Sequence, residues 1–163
     1  MRNWLIGGAC GVVVLGLGFN LAWATGFDDF NNGLVMFGYR EDDAAIRYFT
    51  AALGSGDLPA HLAPIAYHDR GVAYLRKKQY DEAVADFKAA IAAKPDQYIS
   101  YLGAGDAHRE QKKYEEALAE YEVARKIDPI LVDSYAGRAH VFRDQGKPDG
   151  PCPHTCRAGP CSQ

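Results

Sequence analysis

The side chains best equipped for chemistry crowd the end of the chain, where Cys152, His154, Cys156 and Cys161 stand close together. Sulfur and imidazole at that density could grip zinc. Cys152-Pro153-His154-Thr155-Cys156 lacks the two-residue spacing of a zinc knuckle, however, and no metal site is assigned. In an oxidising compartment, a disulfide that leaves one odd thiol accounts better for the cluster. His68, His108 and His140 are the next candidates, but they fall on three different predicted helices and no nucleophile joins them. His108 occupies a slot that is aromatic elsewhere in the chain, so packing explains it. Asp81-Glu82 and Glu115-Glu116 could work as acid and base, yet each pair sits in the first turn of a predicted helix, where unpaired N–H groups favour negative charge. A phosphate-cradling glycine loop, a Gly-x-Ser-x-Gly elbow and a His-Glu-x-x-His pair are all missing. The sequence thus predicts no enzyme, no catalytic residue and no cofactor.

Composition narrows the classes further. A chain of 163 residues has room for one domain of ordinary size, and 48% hydrophobic residues is normal for a packed protein. A net charge of −3 offers no basic field for nucleic acid, which drops out as a partner.

What must position any functional side chain is a repeat. Pro64–Gln97 laid over Tyr98–Leu131, a shift of 34 residues, puts Tyr67 on Tyr101, Gly71 on Gly105, Tyr74 on His108 and Tyr80 on Tyr114. Ala83 falls on Ala117, Phe87 on Tyr121, Ala90 on Ala124 and Pro95 on Pro129. A further copy starts at Val132 and keeps Tyr135, Ala139 and Phe142 in the slots of Tyr101, Gly105 and His108. Within each copy the apolar residues recur at i, i+3 and i+4, which is helical and not strand-like. Lys77-Lys78-Gln79 and Gln111-Lys112-Lys113 are polar hinges between helices, and Pro95 and Pro129 stop each second helix. Small residues (Gly71, Ala83, Gly105, Ala117) let paired helices approach.

The pattern Y-x3-G-x2-Y-x5-Y-x2-A-x3-F-x2-A-x4-P from Tyr67 to Pro95 resembles the tetratricopeptide repeat, a 34-residue helix–turn–helix unit. The resemblance runs from about Gly33 to Phe142 and implies an all-α fold: an antiparallel helix-pair solenoid of about three pairs plus a closing helix. The expected divisions are 25–63 for a degenerate first repeat and loop, 64–97 and 98–131 for repeats, and 132–147 for the closing helix. In the first repeat Ala45, Phe49 and Ala52 take the slots of Ala83, Phe87 and Ala90, while Phe30, Gly33, Leu34 and Phe37 share one side of the helix before them. The stretch Leu53–Leu62 exceeds its later counterparts and is the place to expect a mobile loop. The closing helix is expected to bury Tyr135, Ala139 and Phe142 on its neighbour and to turn Asp133, Ser134, Arg138, Arg143 and Asp144 outward as a cap.

In this family the first helices of each pair line a concave face that holds peptide segments of partners. Carried over by register, the resemblance assigns that lining to Ile65, His68, Val72, Leu75 and Arg76, then Ile99, Leu102, Asp106, Arg109 and Glu110, and finally Asp133, Ala136, His140 and Arg143. Arg109 and Arg143 are offered to an acidic group. The lysine and asparagine with which family members grip a carboxylate tail are missing from these positions. Inter-repeat packing is the competing role for Ile65, Ile99 and Leu102. The expected function is a non-enzymatic module binding a protein or peptide segment; the alternative is a scaffold subunit or homo-oligomer that uses the repeat surface as a permanent interface.

The two ends differ from the repeats. Arg2, the apolar run Trp4–Ala24 and the small-x-small Ala22-Trp23-Ala24 have the layout of a signal peptide over residues 1–24. An uncleaved anchor is the other reading, with Trp4 and Trp23 at the two interfaces, and only then is a membrane a partner. Either way the repeats are expected in an export compartment: the bacterial periplasm, free or anchored at the inner membrane. Residues 148–163 carry Pro148, Pro151 and Pro153 where a second helix belongs, and interior proline costs a helix about 3 kcal/mol. This tail is read as disordered, disulfide-bonded or the product of a reading-frame change.

Overall fold

The computed structural model describes residues 25–130 and 132–147. The readings of residues 1–24 as leader or anchor, and of 148–163 as a cysteine-bearing tail, lie outside the described residues. The described residues form seven helices in order: α1 (Gly26–Gly38), α2 (Asp42–Gly54), α3 (Ala63–Arg76), α4 (Tyr80–Ala93), α5 (Tyr98–Glu110), α6 (Tyr114–Ile127) and α7 (Val132–Asp144). Among the described residues there is no strand. α1 packs on α2, α3 on α4 and α5 on α6, and each pair stacks on the next, which is the helix-pair solenoid expected.

The hinges explain the pairing. After α1, α3 and α5 a residue with positive φ (Arg40 at 63°, Lys78 at 61°, Lys112 at 61°) reverses the chain. Its N–H reaches back three residues and the next N–H reaches back five, as in Lys112 to Arg109 (2.8 Å) and Lys113 to His108 (2.9 Å). This double bond pattern satisfies the last carbonyls of the helix and aims the chain back along it. Thr25 caps α1, with its hydroxyl accepting from Asp28 N–H and the Asp28 carboxylate accepting in return from Thr25.

Each second helix puts one ring at the centre of the core: Phe49, Phe87 and Tyr121, all fully buried, flanked by buried alanines. Glycines make room for these rings. A Cβ on Gly71 would stand 3.0 Å from Phe87 and one on Gly103 2.5 Å from it, on helices α3 and α5 either side of the ring. Tyr121 is held the same way between Gly105 and Gly137. First helices touch one another (α1 with α3, α3 with α5, α5 with α7), whereas second helices do not, so the slab curves with the first helices inside.

Three expectations are corrected. Leu34 is exposed and does not share the buried side of α1 with Phe30 and Gly33. The insertion before α3 is tied down: Asp57 accepts from Gly26 N–H at 2.8 Å, and Leu58 and Leu62 pack on the first core cluster. Most consequential is α7. Its buried residues are Ser134, Gly137 and Val141; Ala139 is exposed and Tyr135 and Phe142 only half-covered. A first helix has two packing stripes, one toward the preceding second helix and one toward its own. On α7 only the first has a neighbour among the described residues, so the stripe expected to be buried is the outer one.

Candidate functional site

The concave side carries a groove of about 630 Å³ across α3, α5 and α7. Leu75, Arg76, Leu102, Asp106, Arg109, Glu110, Asp133, Ala136 and His140 line it, joined by Lys78, Tyr80, Tyr121 and Gly137, which the sequence does not single out as lining. Ile65, His68 and Ile99 lie instead in a second hollow of about 410 Å³ with His61, Pro64, Asp69, Lys94 and Gln97. Val72 packs against the core cluster around Phe87. Arg143 lines neither hollow.

Charges on the groove walls are mostly committed. Arg76 donates to Asp42 at 3.0 Å and lies over the Phe37 ring, 4.1 Å from its centroid. Arg109 donates to Asp144 at 2.9 Å and to Glu110 at 2.8 Å. Of the two arginines offered to an incoming acid, Arg109 is therefore engaged by two carboxylates of this chain. Asp106 accepts from the Tyr121 hydroxyl at 2.7 Å; burial holds its carboxyl above the usual range, against the pull of that hydroxyl and of Arg109. Burial, with Asp106 beside it, keeps the Tyr121 phenol firmly protonated.

In the second hollow, burial pushes Asp69 up to about 6, with Arg76 opposing, and pulls His68 down to about 4. The His68 ring is 5.5 Å from Phe87 and its Nδ1 is 3.3 Å from Ser100 Oγ. Asp69 is absent from the lining expected by sequence, although register signals it: it stands where Gly103 and Gly137 stand in later copies. The three histidines stay apart, with His108 buried on α5 and His140 exposed on α7. Burial lowers His108 as well. Among the described residues no group of three or more His, Cys, Asp or Glu side chains could hold a metal ion, and no helix is long and apolar enough to cross a membrane.

A curved all-helical slab of stacked pairs, with first helices lining its inner face, is the architecture of a helical-repeat solenoid. The family model for the tetratricopeptide repeat matches residues 42–98 and 68–129, more than half of the chain. This chain belongs to the tetratricopeptide repeat family. Peptidyl-prolyl cis-trans isomerase CYP7 of Saccharomyces cerevisiae is 36% identical over 69 residues, which are 42% of this chain and 18% of that protein. The chain thus spans less than a fifth of this curated relative. Similar solved structures include the first such domain of Spaghetti (RPAP3) bound to the HSP90 peptide SRMEEVD, with a TM-score of 0.67, 21% identity, and 75% of this chain and 94% of that one covered. The Sgt2 domain from Aspergillus fumigatus aligns with a TM-score of 0.66, 21% identity, and 84% and 90% covered. MamA from Desulfovibrio magneticus RS-1 reaches a TM-score of 0.69 at 18% identity, with 78% and 70% covered.

Proposed function

We propose that this chain is a non-enzymatic interaction module that holds a segment of another protein in the concave groove across α3, α5 and α7. The observation that carries this is the groove's construction. Apolar Leu75, Leu102 and Ala136 lie between polar side chains, on helices fixed by the ring-and-glycine core behind them. A preformed surface of that kind spares a partner segment the cost of ordering the site. RPAP3 domains solved with HSP90 and HSP70 peptides support a peptide as the class of partner. With Arg76 and Arg109 already paired and Asp106 and Asp133 on the walls, an apolar segment suits this groove better than an acidic tail. Leu75→Asp and Leu102→Asp should abolish recovery of a partner by affinity capture while helicity by circular dichroism is unchanged. Ala136→Glu, at a site on the groove wall, gives the same reading should either leucine variant unfold. Equal recovery with all of them would refute the groove.

A permanent scaffold or homo-oligomer is the second reading, favoured by Phe27, Val35 and Tyr39, which stand exposed on or just after α1. A monomer by light scattering at micromolar concentration removes it. Export to a bacterial periplasm belongs to the same proposal, on the leader-like residues 1–24. N-terminal sequencing of envelope-derived protein should begin at Thr25 if the leader is cleaved and at Met1 if it is kept; recovery from the cytosol alone would end the export reading.

A further inference from the structure

α7 ends the described helices as the first half of an unfinished pair. Its inner stripe is satisfied: a Cβ on Gly137 would stand 2.6 Å from Tyr121 of the preceding second helix. Its outer stripe is Val132, Ala139 and Phe142, spaced i, i+7 and i+10 on one helix face, with Tyr135 at i+3 half-covered and its hydroxyl donating to Pro129 O at 3.5 Å. At the slots of Ala139 and Phe142, α3 and α5 set Gly71, Tyr74 and Gly105 against their own second helices. A Cβ on Gly71 would stand 3.0 Å from the Phe87 ring and one on Gly105 2.6 Å from the Tyr121 ring, in the slot where Ala139 is exposed; Pro64 is buried and Tyr98 half-covered where Val132 is 73% exposed.

The chain also turns as though another helix came next. Gly146 has a φ of 72°, its N–H bonds Arg143 O at 2.9 Å, and Lys147 N–H bonds Phe142 O at 2.8 Å. The same pair of bonds precedes α2, α4 and α6. The residues after Lys147 include prolines at 148, 151, 153 and 160, and nowhere the alanine, aromatic and alanine spacing of a second helix.

We infer that this outer face of α7 is a docking edge for an amphipathic helix supplied by a partner protein, bearing the pattern Ala-x3-aromatic-x2-Ala. The occupant's chemistry is specified by the chain itself, which covers the equivalent face three times with that pattern, as in Ala117, Tyr121 and Ala124. Docking there continues the existing stack. This edge lies on a different side of α7 from Asp133, Ala136 and His140, so it stands whether or not the concave groove binds anything.

A labelled peptide of this chain's own residues 113–128, α6 with its flanking residues, serves as the probe, added to the full chain and followed by fluorescence anisotropy. Saturable binding is expected, weakened at least tenfold by Ala139→Glu and, independently, by Val132→Asp; both sites are exposed, so the fold survives either change. A probe carrying Tyr121→Asp should not bind. Failure of the unaltered probe to bind, or binding indifferent to both chain variants, overturns the inference. A stable dimer of the full chain that Ala139→Glu splits also overturns it, by assigning the face to a second copy.

Discussion

The Tyr121 hydroxyl donates a 2.7 Å hydrogen bond to Asp106 Oδ1, tying the core of the α5–α6 pair to the wall of the concave groove. One repeat earlier the same two places hold Phe87 and Val72, whose side chains can neither donate nor accept. Donor and acceptor thus occur together in one copy and are both missing from the other, as expected where a half-satisfied buried pair is costly.

Tyr121→Phe alone leaves Asp106 with one stabilising contact fewer in a site where burial already disfavours its charge. A loss of about 1.5–3 kcal/mol is expected. Adding Asp106→Val rebuilds the earlier repeat's apolar pair and should recover most of it. Urea denaturation of both singles and the double closes the cycle. A double variant no more stable than Tyr121→Phe would show that hydroxyl and carboxylate act separately.

Gly103→Ala drives a methyl to 2.5 Å from Phe87 Cε1, and the ring has little room to retreat because the α3 backbone at Gly71 backs its other side, where a Cβ would already stand 3.0 Å away. Overpacking of this kind costs about 1–3 kcal/mol. Gly38→Ala meets nothing within 4 Å and should gain a few tenths, up to about 1 kcal/mol, from helix propensity. Thermal melts of the two variants should move in opposite directions; a harmless Gly103→Ala would mean the stack breathes more than the packing implies.

Legibility in the sequence tracks the chemistry of the repeat. Phe49, Phe87 and Tyr121 announce themselves because a large ring among alanines at fixed register has one place to go. The groove lining is partly readable for the same reason, since residues 34 apart share a face. Register does not say which of two faces on a first helix finds a neighbour, and so it places Tyr135 and Ala139 on the wrong side of α7. Nor does it reveal pairings between faces. Arg70 grips Asp86 with two 2.7 Å bonds and reaches Thr50 at 2.9 Å, joining α2, α3 and α4, yet no local pattern marks any of the three. The neutralisation of Arg109 is equally invisible locally, because Asp144 lies one repeat away.

His68 and Asp69 should give opposite pH signatures over the same range. For His68, ordinarily near 6.5 and about 4 in the fold, the stabilising contribution of the buried neutral ring is complete above 6.5 and disappears as pH falls toward 4. For Asp69, ordinarily 3.8 and about 6 in the fold, the unfolded chain loses its proton first, so stability drops as pH rises from about 4 to about 6. Relative to the unaltered chain, Asp69→Asn should therefore gain stability toward pH 7, and His68→Asn should gain it toward pH 4, each by about 1–2 kcal/mol after allowance for solvent screening. Denaturation midpoints between pH 4 and 7 test this; parallel profiles for the two variants would contradict it.

The hinges carry a removable cost. Lys112 holds a φ of 61° and Lys78 the same, in a region that crowds the Cβ of any residue but glycine by about 1–2 kcal/mol. Gly146 fills the corresponding place after α7 without that crowding. Lys112→Gly relieves the strain but gives part of the gain back as added freedom of the unfolded chain, about 0.4–1 kcal/mol. A net stabilisation of about 0.5–1 kcal/mol is expected, with Lys112→Asn between the two because asparagine tolerates the left-handed region better than lysine. Lys112 is exposed and outside the groove, so its charge does not confound the comparison, unlike that of Lys78. Gly146→Lys should cost as much as Lys112→Gly gains. Midpoints ranking lysine above glycine at residue 112 would mean the hinge draws stability from the lysine side chain itself.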